Sequence, residues 1–358
     1  MGRLRSGYTT GACAAAAAKA AVLCLYQRVV VQEVEIPFPD TSRVVFPVVQ
    51  SAFQNGSARA AVIKDAGDDP DVTNGARIEV EVAGDLRESD HAGTITIKGG
   101  QGVGVVTKRG LAVAVGEPAI NPVPRKMIRE AVREGMAEVG AEAQSLTLTV
   151  SIVDGEKLAE QTLNKRLGIV GGLSVLGTTG IVKPISAKAW TDTISTSMDV
   201  ARAAGLDQII LSTGRTSERA VEQVLQLPEE SLIMMGDYLH YSLEAAKQHG
   251  FITIHLAGMW AKILKCALEI PQTHVRNGAL EVDQAIRFIQ DCGASETIIE
   301  RLKGANTARE IYVRLGDLGA RELIRGVCLR AQQYGQRVSG LEVHVYLVDG
   351  TGEVVVQV

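Results

Sequence analysis

The spacing of apolar and polar positions divides this chain into two stretches of different rhythm. Near the start, alanines fill most of residues 12–21, and either Thr9 or Thr10 offers a hydroxyl that can accept from a free amide of a first helical turn. The pattern predicts a helix over residues 12–25. β-Branched residues then alternate with polar ones between Gly, Asp and Pro breaks, which predicts strands at 33–37, 42–46, 59–64, 78–82 and 94–98. A helix over 125–139, with Pro124 as its first residue, and a strand over 146–150 complete this part.

After residue 190 short apolar runs alternate with amphipathic ones. Strands are expected at 208–212, 232–236 and 252–256, and helices at 217–225, 239–249 and 259–268. Such alternation argues for a parallel sheet with right-handed crossovers. Residues 282–334 read as mainly helical, and 342–358 as a hairpin turning at Asp349 and Gly350. The expected architecture is an α+β N-terminal domain over 1–188, followed by a smaller α/β domain with a parallel sheet over 189–358.

Composition supports two cores. The chain has 358 residues, more than one core usually serves. Apolar residues make up 46% and aromatic ones only 4%, so packing must rest on Val, Ile, Leu and Ala. Residues 1–190 carry a formal charge of +1 and the remainder −5, which argues against a nucleic-acid-binding face. Five cysteines show no metal-ligand spacing and suit reduced thiols, and the six histidines form no metal motif, so no metal is expected. Lys19 interrupts the alanine run, which argues against a signal peptide, and no run reaches the roughly 18 apolar residues of a membrane span. A cytoplasmic location is expected.

Candidate chemistry gathers at a few places. In GGQGVGVVTKRGLAVAVGEPAINPVPRKMI (residues 99–128), Gly100 and Gly102 permit close backbone approach, and Lys108 and Arg109 follow one strand-length later, a pattern for holding an anion. In a parallel sheet, ligands bind where strands end and helices begin. Thr213, Gly214, Gly236 and Asp237 occupy such loops, and Asp237 is placed to accept the hydroxyls of a ribose or to cap the next helix. No GxGxxG lies in a strand–turn–helix context, so these residues alone do not prove a nucleotide. Thr178 and Thr179, among glycines of residues 168–180, form a candidate nest of amides and hydroxyls. Asp65, Asp68, Asp69 and Asp71 crowd together; their repulsion could raise at least one pKa toward a range useful for acid–base work, or the group could hold a hard cation or form a solvated turn on Gly67 and Pro70, and acid–base work or substrate orientation is favoured over metal. His255 and His274 are the better placed histidines.

These residues resemble one family, the CbiD proteins of anaerobic cobalamin biosynthesis. GYTTGACAAAAAKAA (residues 7–21), KDAGDDPDVTNGARI (64–78), NKRLGIVGGLSVLGTTGIVKPIS (164–186) and MGDYLHYSLEAAK (235–247) carry the resemblance, which runs from residue 5 to about residue 330. It implies methyl transfer from S-adenosylmethionine to ring carbon C1 of the cobalt-bound tetrapyrrole cobalt-precorrin-5B. It further implies an N-terminal domain akin to the second domain of ribosomal protein S5. On that basis Asp65, Asp68 and Asp69 are acid–base candidates, and Asp237, Thr213, Gly214, Gly236, Thr178 and Thr179 are candidates for the methyl donor. Arg5, Thr9, Thr10, Gly11, Gly100, Gly102, Lys108 and Arg109 are candidates for the carboxylate-rich tetrapyrrole. Trp260 stands where relatives often carry a small residue. Two rival readings are a small-molecule kinase with a glycine-rich ATP loop, which lacks GxxxxGK[ST] here, and a non-catalytic tetrapyrrole-binding protein of the pathway.

Overall fold

The computed structural model describes residues 4–84, 93–141, 144–273 and 281–358. It is a mixed α/β fold with several sheets, and the chain divides into two compact units, Met1–Ser186 and Ala187–Val358.

Unit 1 begins with β1 (Gly7–Tyr8) and α1 (Thr10–Gln27), then β2 (Glu33–Pro37), β3 (Arg43–Pro47), β4 (Gln50–Gln54), β5 (Ser57–Ile63), β6 (Arg77–Gly84) and β7 (Ile95–Gly99). Short β8 (Gly102–Val103) and β9 (Val105–Val106) precede α2 (Pro122–Glu138), β10 (Leu146–Ile152), α3 (Gly155–Ala159), β11 (Ile169–Val170), β12 (Gly172–Leu173) and β13 (Ile181–Val182). The main sheet has the order β4-β5-β6-β10-β7, antiparallel except for β10 and β7. α1 packs on β5, β6 and α2, and residues 12–18 of it are completely buried. A helix apolar on every side has to be a core helix, and its alanines let neighbours approach closely. Thr9 is its N-cap, accepting from the Ala12 amide at 3.2 Å, and Arg28 closes it in the left-handed conformation.

Unit 2 contains α4 (Ala187–Ala203), β14 (Gln208–Ser212), α5 (Arg215–Leu225), β15 (Leu232–Met234), α6 (Leu239–Gln248), β16 (Thr253–Met259) and α7 (Trp260–Ala267). Helices α8 (Val282–Asp291), α9 (Glu296–Leu302), α10 (Ala308–Asp317) and α11 (Arg321–Ser339) lead to β17 (Glu342–Val348) and β18 (Val354–Gln357). The sheet order is β15-β14-β16-β17-β18, with only β18 antiparallel. Alternation sends Leu211, Leu256 and Val345 into the larger core and Ile210, Ala257 and Tyr346 toward Ala220 and Val221 of α5. The expected terminal hairpin exists, and its first strand is also the fourth parallel strand.

Two longer elements, β4 and α4, and the two-residue strands depart from expectation. β4 was not legible because its residues alternate weakly at an exposed sheet edge. α4 fell where a boundary was expected at residues 184–190; its Ser- and Thr-rich sequence hides the buried row Ile194, Met198 and Ala201. The paired two-residue strands carry no periodicity to read.

Candidate functional site

Three sequence blocks of unit 1 meet at one place. β1 pairs antiparallel with β13, and the Tyr8 and Thr9 amides donate to the carbonyls of Asp65 and Gly180 at 2.7 and 2.9 Å. The Gly11 amide donates to the Leu176 carbonyl at 3.1 Å, and the Thr10 hydroxyl accepts from the Leu176 amide at 2.9 Å. Arg5 reaches Asp65 with two nitrogens, at 2.5 and 2.8 Å, while its amide donates to Asp68 at 2.6 Å. Asp69 accepts the Ile185 amide at 2.9 Å. Gly67 has φ +68°, and any side chain there would strike the Arg5 carbonyl. Thr178 and Thr179 lie exposed on the neighbouring loop, and the Thr179 hydroxyl is turned back to Ile181.

The electrostatics of this cluster correct one expectation. The carboxylates do not raise one another at Asp65: its bonds to Arg5 and to the Gly67 amide hold it down at about 2, so it is a poor proton acceptor near neutrality. Burial pushes Asp71 up, but the bonds from Lys64 and Thr73 outweigh it and its pKa falls. Opposite charges and donors therefore win over mutual repulsion. Arg5, expected to meet a ligand carboxylate, is ion-paired with Asp65, and its side chain is 60% exposed.

The glycine-rich segment also serves the fold. Gly102 has φ +75° and sits against the Ile152 carbonyl, where no larger residue fits. The Gly100 amide donates to the Val150 carbonyl at 2.7 Å. Lys108 donates to the Arg166 carbonyl at 3.0 Å, so its ammonium is directed inward to the loop. Arg109 is exposed. At Gly100 and Gly102 the close approach that the structure shows is to the chain itself, at Ser151 and Ile152.

In unit 2 the strand order reverses direction between β14 and β16, the topological position at which open sheets bind ligands. Thr213 and Gly214 follow β14, and the Thr213 amide donates to the Ala257 carbonyl at 3.1 Å. Gly236 and Asp237 follow β15. A side chain at Gly236 would touch the Trp190 ring, which stacks on Tyr238 with centroids 6.3 Å apart. Asp237 does not cap α6, whose N-cap is Tyr238. Its carboxylate instead accepts from Lys262 and, at 2.7 Å, from the Thr273 hydroxyl. Lys265 donates to the Thr273 carbonyl at 2.8 Å, and burial lowers its pKa. Lys262, Thr273 and Trp190 were missed, because a pair 25 residues apart in sequence leaves no local signal. His255 bonds Tyr346 and Gln208 at 3.1 and 3.0 Å, a satisfied structural histidine; burial and then His344 lower its pKa to about 4. His274 lies outside the described residues. The Trp260 ring nitrogen is buried without a hydrogen-bond partner among the described residues.

Two units, one with a buried α-helix packed on a mixed sheet and one with a mostly parallel sheet, make this a mixed α/β protein of two compact units. The chain belongs to the CbiD family: CbiD matches residues 1–184, and the CbiD C-terminal domain matches residues 272–358. A relative from Desulfotalea psychrophila, named cobalt-precorrin-5B C(1)-methyltransferase, is 55% identical over 98% of this chain and 97% of its own length. One of the same name from Geobacter metallireducens is 46% identical over 96% of each. The crystal structure of cobalamin biosynthesis protein (cbiD) from Archaeoglobus fulgidus is 24% identical, covers 88% of this chain and 85% of its own, and has a TM-score of 0.40.

Proposed function

We propose that this chain methylates ring carbon C1 of cobalt-precorrin-5B, with S-adenosylmethionine as donor, in anaerobic cobalamin biosynthesis. The observation that carries the reading is the 55% identity, over nearly the whole of both chains, to a relative bearing that activity as its name. The family resemblance adds that unit 1 is akin to the second domain of ribosomal protein S5. Among the described residues no helix is long and apolar enough to cross a membrane, which is compatible with work in the cytoplasm.

The donor supplies an electrophilic methyl group on its sulfonium. A nucleophilic ring carbon needs only alignment and exclusion of water, so no covalent protein nucleophile is required. The reversal point of the unit 2 sheet fits the donor. The stacked Trp190 and Tyr238 give a flat aromatic neighbour for a base. Asp237 gives a carboxylate with about four acceptor positions, so ribose hydroxyls can join Lys262 and Thr273 there rather than displace them. Thr213 and Gly214 line the adjoining strand end. Asp68 and Asp69 are the carboxylates proposed to take the proton released as ring conjugation rearranges, ahead of the ion-paired Asp65. Arg5, Thr9, Thr10 and Gly11, with Gly100, Gly102, Lys108 and Arg109, are proposed to shape the tetrapyrrole side.

S-adenosylhomocysteine should raise the melting temperature of the protein while ADP with Mg²⁺ leaves it unchanged, and the purified chain should methylate cobalt-precorrin-5B. Stabilisation by the nucleotide alone would overturn the reading in favour of a kinase. Asp237→Ala should weaken S-adenosylhomocysteine by about 1.5 to 3 kcal/mol in a calorimetric titration. Unchanged affinity in a folded variant removes Asp237 from the donor site.

A further inference from the structure

Along α2, Arg125, Arg129 and Arg133 recur one turn apart, so they share one face of the helix. At about 1.5 Å of rise per residue the row is about 12 Å long. The acids of the same helix are engaged on another face. Glu134 meets Arg43 at 3.0 Å and Lys19 at 3.2 Å, Glu138 meets Lys19 at 2.6 Å, and Glu130 lies 3.7 Å from Lys126. Among the described residues only Glu117 pairs with the row, 3.6 Å from Arg125. Arg129 and Arg133 have neither ion pair nor hydrogen bond among the described residues.

Both ends of the row open on clefts. A cleft of about 320 Å³ is lined by Val113, Ile120 and Pro122 together with Arg125, Arg129 and Glu117, the acid paired with Arg125. A second, of about 220 Å³, is lined by Gly93, Ile95, Met136 and Arg133. Arg125 is set in place from behind, donating to the Ile120 and Pro118 carbonyls at 2.8 and 3.3 Å. A guanidinium is a planar fork that matches a carboxylate, and the apolar side chains beside it offer contact to an apolar ring. One carboxylate would occupy one arginine. A row of three, beside apolar clefts, instead suits a flat, largely apolar ring with several carboxylates on its rim.

We infer that the arginine row of α2 and its two clefts bind the rim carboxylates of the tetrapyrrole; the identity of that ligand rests on the proposed function. The row reads the substrate through charge and fork geometry. Arg125 falls inside the candidate segment 99–128, whereas Arg129 and Arg133 lie beyond it.

Steady-state methylation of cobalt-precorrin-5B by Arg129→Gln, Arg133→Gln and the double variant tests this, with Lys157→Gln as control and circular dichroism to verify folding. Each single change should raise the tetrapyrrole KM about tenfold, the double change more, with kcat and S-adenosylhomocysteine affinity retained. Arg129→Lys, which keeps charge but not the fork, should recover part of the loss. Fluorescence quenching of uroporphyrin, an acetate and a propionate on every pyrrole, gives an independent readout. Wild type should bind it, the double variant should not, and the fully esterified porphyrin should bind neither. An unchanged KM in the folded double variant, or equal binding of acid and ester by wild type, overturns the row and leaves the proposed function standing. A wild type that binds the porphyrin through the row but does not methylate the precorrin overturns the proposed function and leaves the row standing.

Discussion

The aspartates of residues 65–71 share a short loop, yet they are held in different ways: Asp65 by the Arg5 guanidinium, Asp68 by the Arg5 amide, Asp69 by the Ile185 amide and Asp71 by Lys64 and Thr73. Asp65 is held at about 2 by Arg5, below its ordinary 3.8. A carboxylate with a depressed folded pKa stabilises the fold fully above its ordinary value and loses that contribution as pH falls toward the folded one. Asp65→Asn should therefore lower the melting temperature near pH 6, and the gap to wild type should close between about pH 4 and about pH 2. A gap that stays constant across that range would show the ion pair to be thermodynamically silent. Lys64 is a sharper case, its side chain only 1% exposed and bonded to Asp71 at 2.7 Å. Removing the acid would strand a buried ammonium, so Asp71→Ala should cost about 3 kcal/mol in urea unfolding. Lys64→Met combined with Asp71→Val should restore much of it. At this scale the sequence displayed the residue types of the site but not their pairings. Arg5 and Asp65 are 60 positions apart, and charge repulsion within the loop was visible where the compensating cation was not.

Elements with a strong period were readable, and those whose position depends on neighbours were not. α1 shows both sides. Its alanine run predicts a helix, but burial on every side follows only from its place among β5, β6 and α2. There is no room for a longer side chain: Ala15 and Ala16 are completely buried. Ala16→Leu, which lowers helix-forming tendency only slightly while adding volume, should cost roughly 1 to 3 kcal/mol in chemical denaturation. A neutral outcome would mean that the helix can shift within the core. β4 and α4 escaped notice for the opposite reason, since an exposed edge and a Ser- and Thr-rich helix dilute the apolar signal below what spacing alone reveals.

Two cores imply two responses to acid. In unit 2, burial and His344 lower His255 to about 4 from its usual 6.5, so its neutral form is favoured in the fold. Below about pH 6.5 the unfolded chain gains a proton there that the folded one refuses, so stability falls as pH drops from about 6.5 to about 4. The Asp65 window of unit 1 lies lower. Hydrogen exchange followed peptide by peptide should show unit 2 losing protection first as pH falls from 7 to 5, with unit 1 nearly unaffected. His255→Gln should flatten that dependence. Protection lost equally in both units would contradict it.

Trp190 and Trp260 are the two tryptophans of the chain, and both belong to unit 2. Indole emission therefore reports on that unit alone, whereas unit 1 contributes only Tyr8 and Tyr26 to the ultraviolet signal. Trp190 is 43% exposed and stacked on the tyrosine that follows Asp237, while Trp260 is 5% exposed. The first can thus be quenched by a soluble agent such as acrylamide, and the second is shielded. An unlabelled sample consequently carries two optical channels, one sensitive to whatever occupies the Asp237 loop and one to the packing beneath it. A melting curve read by emission alone would miss the alanine helix and everything built upon it.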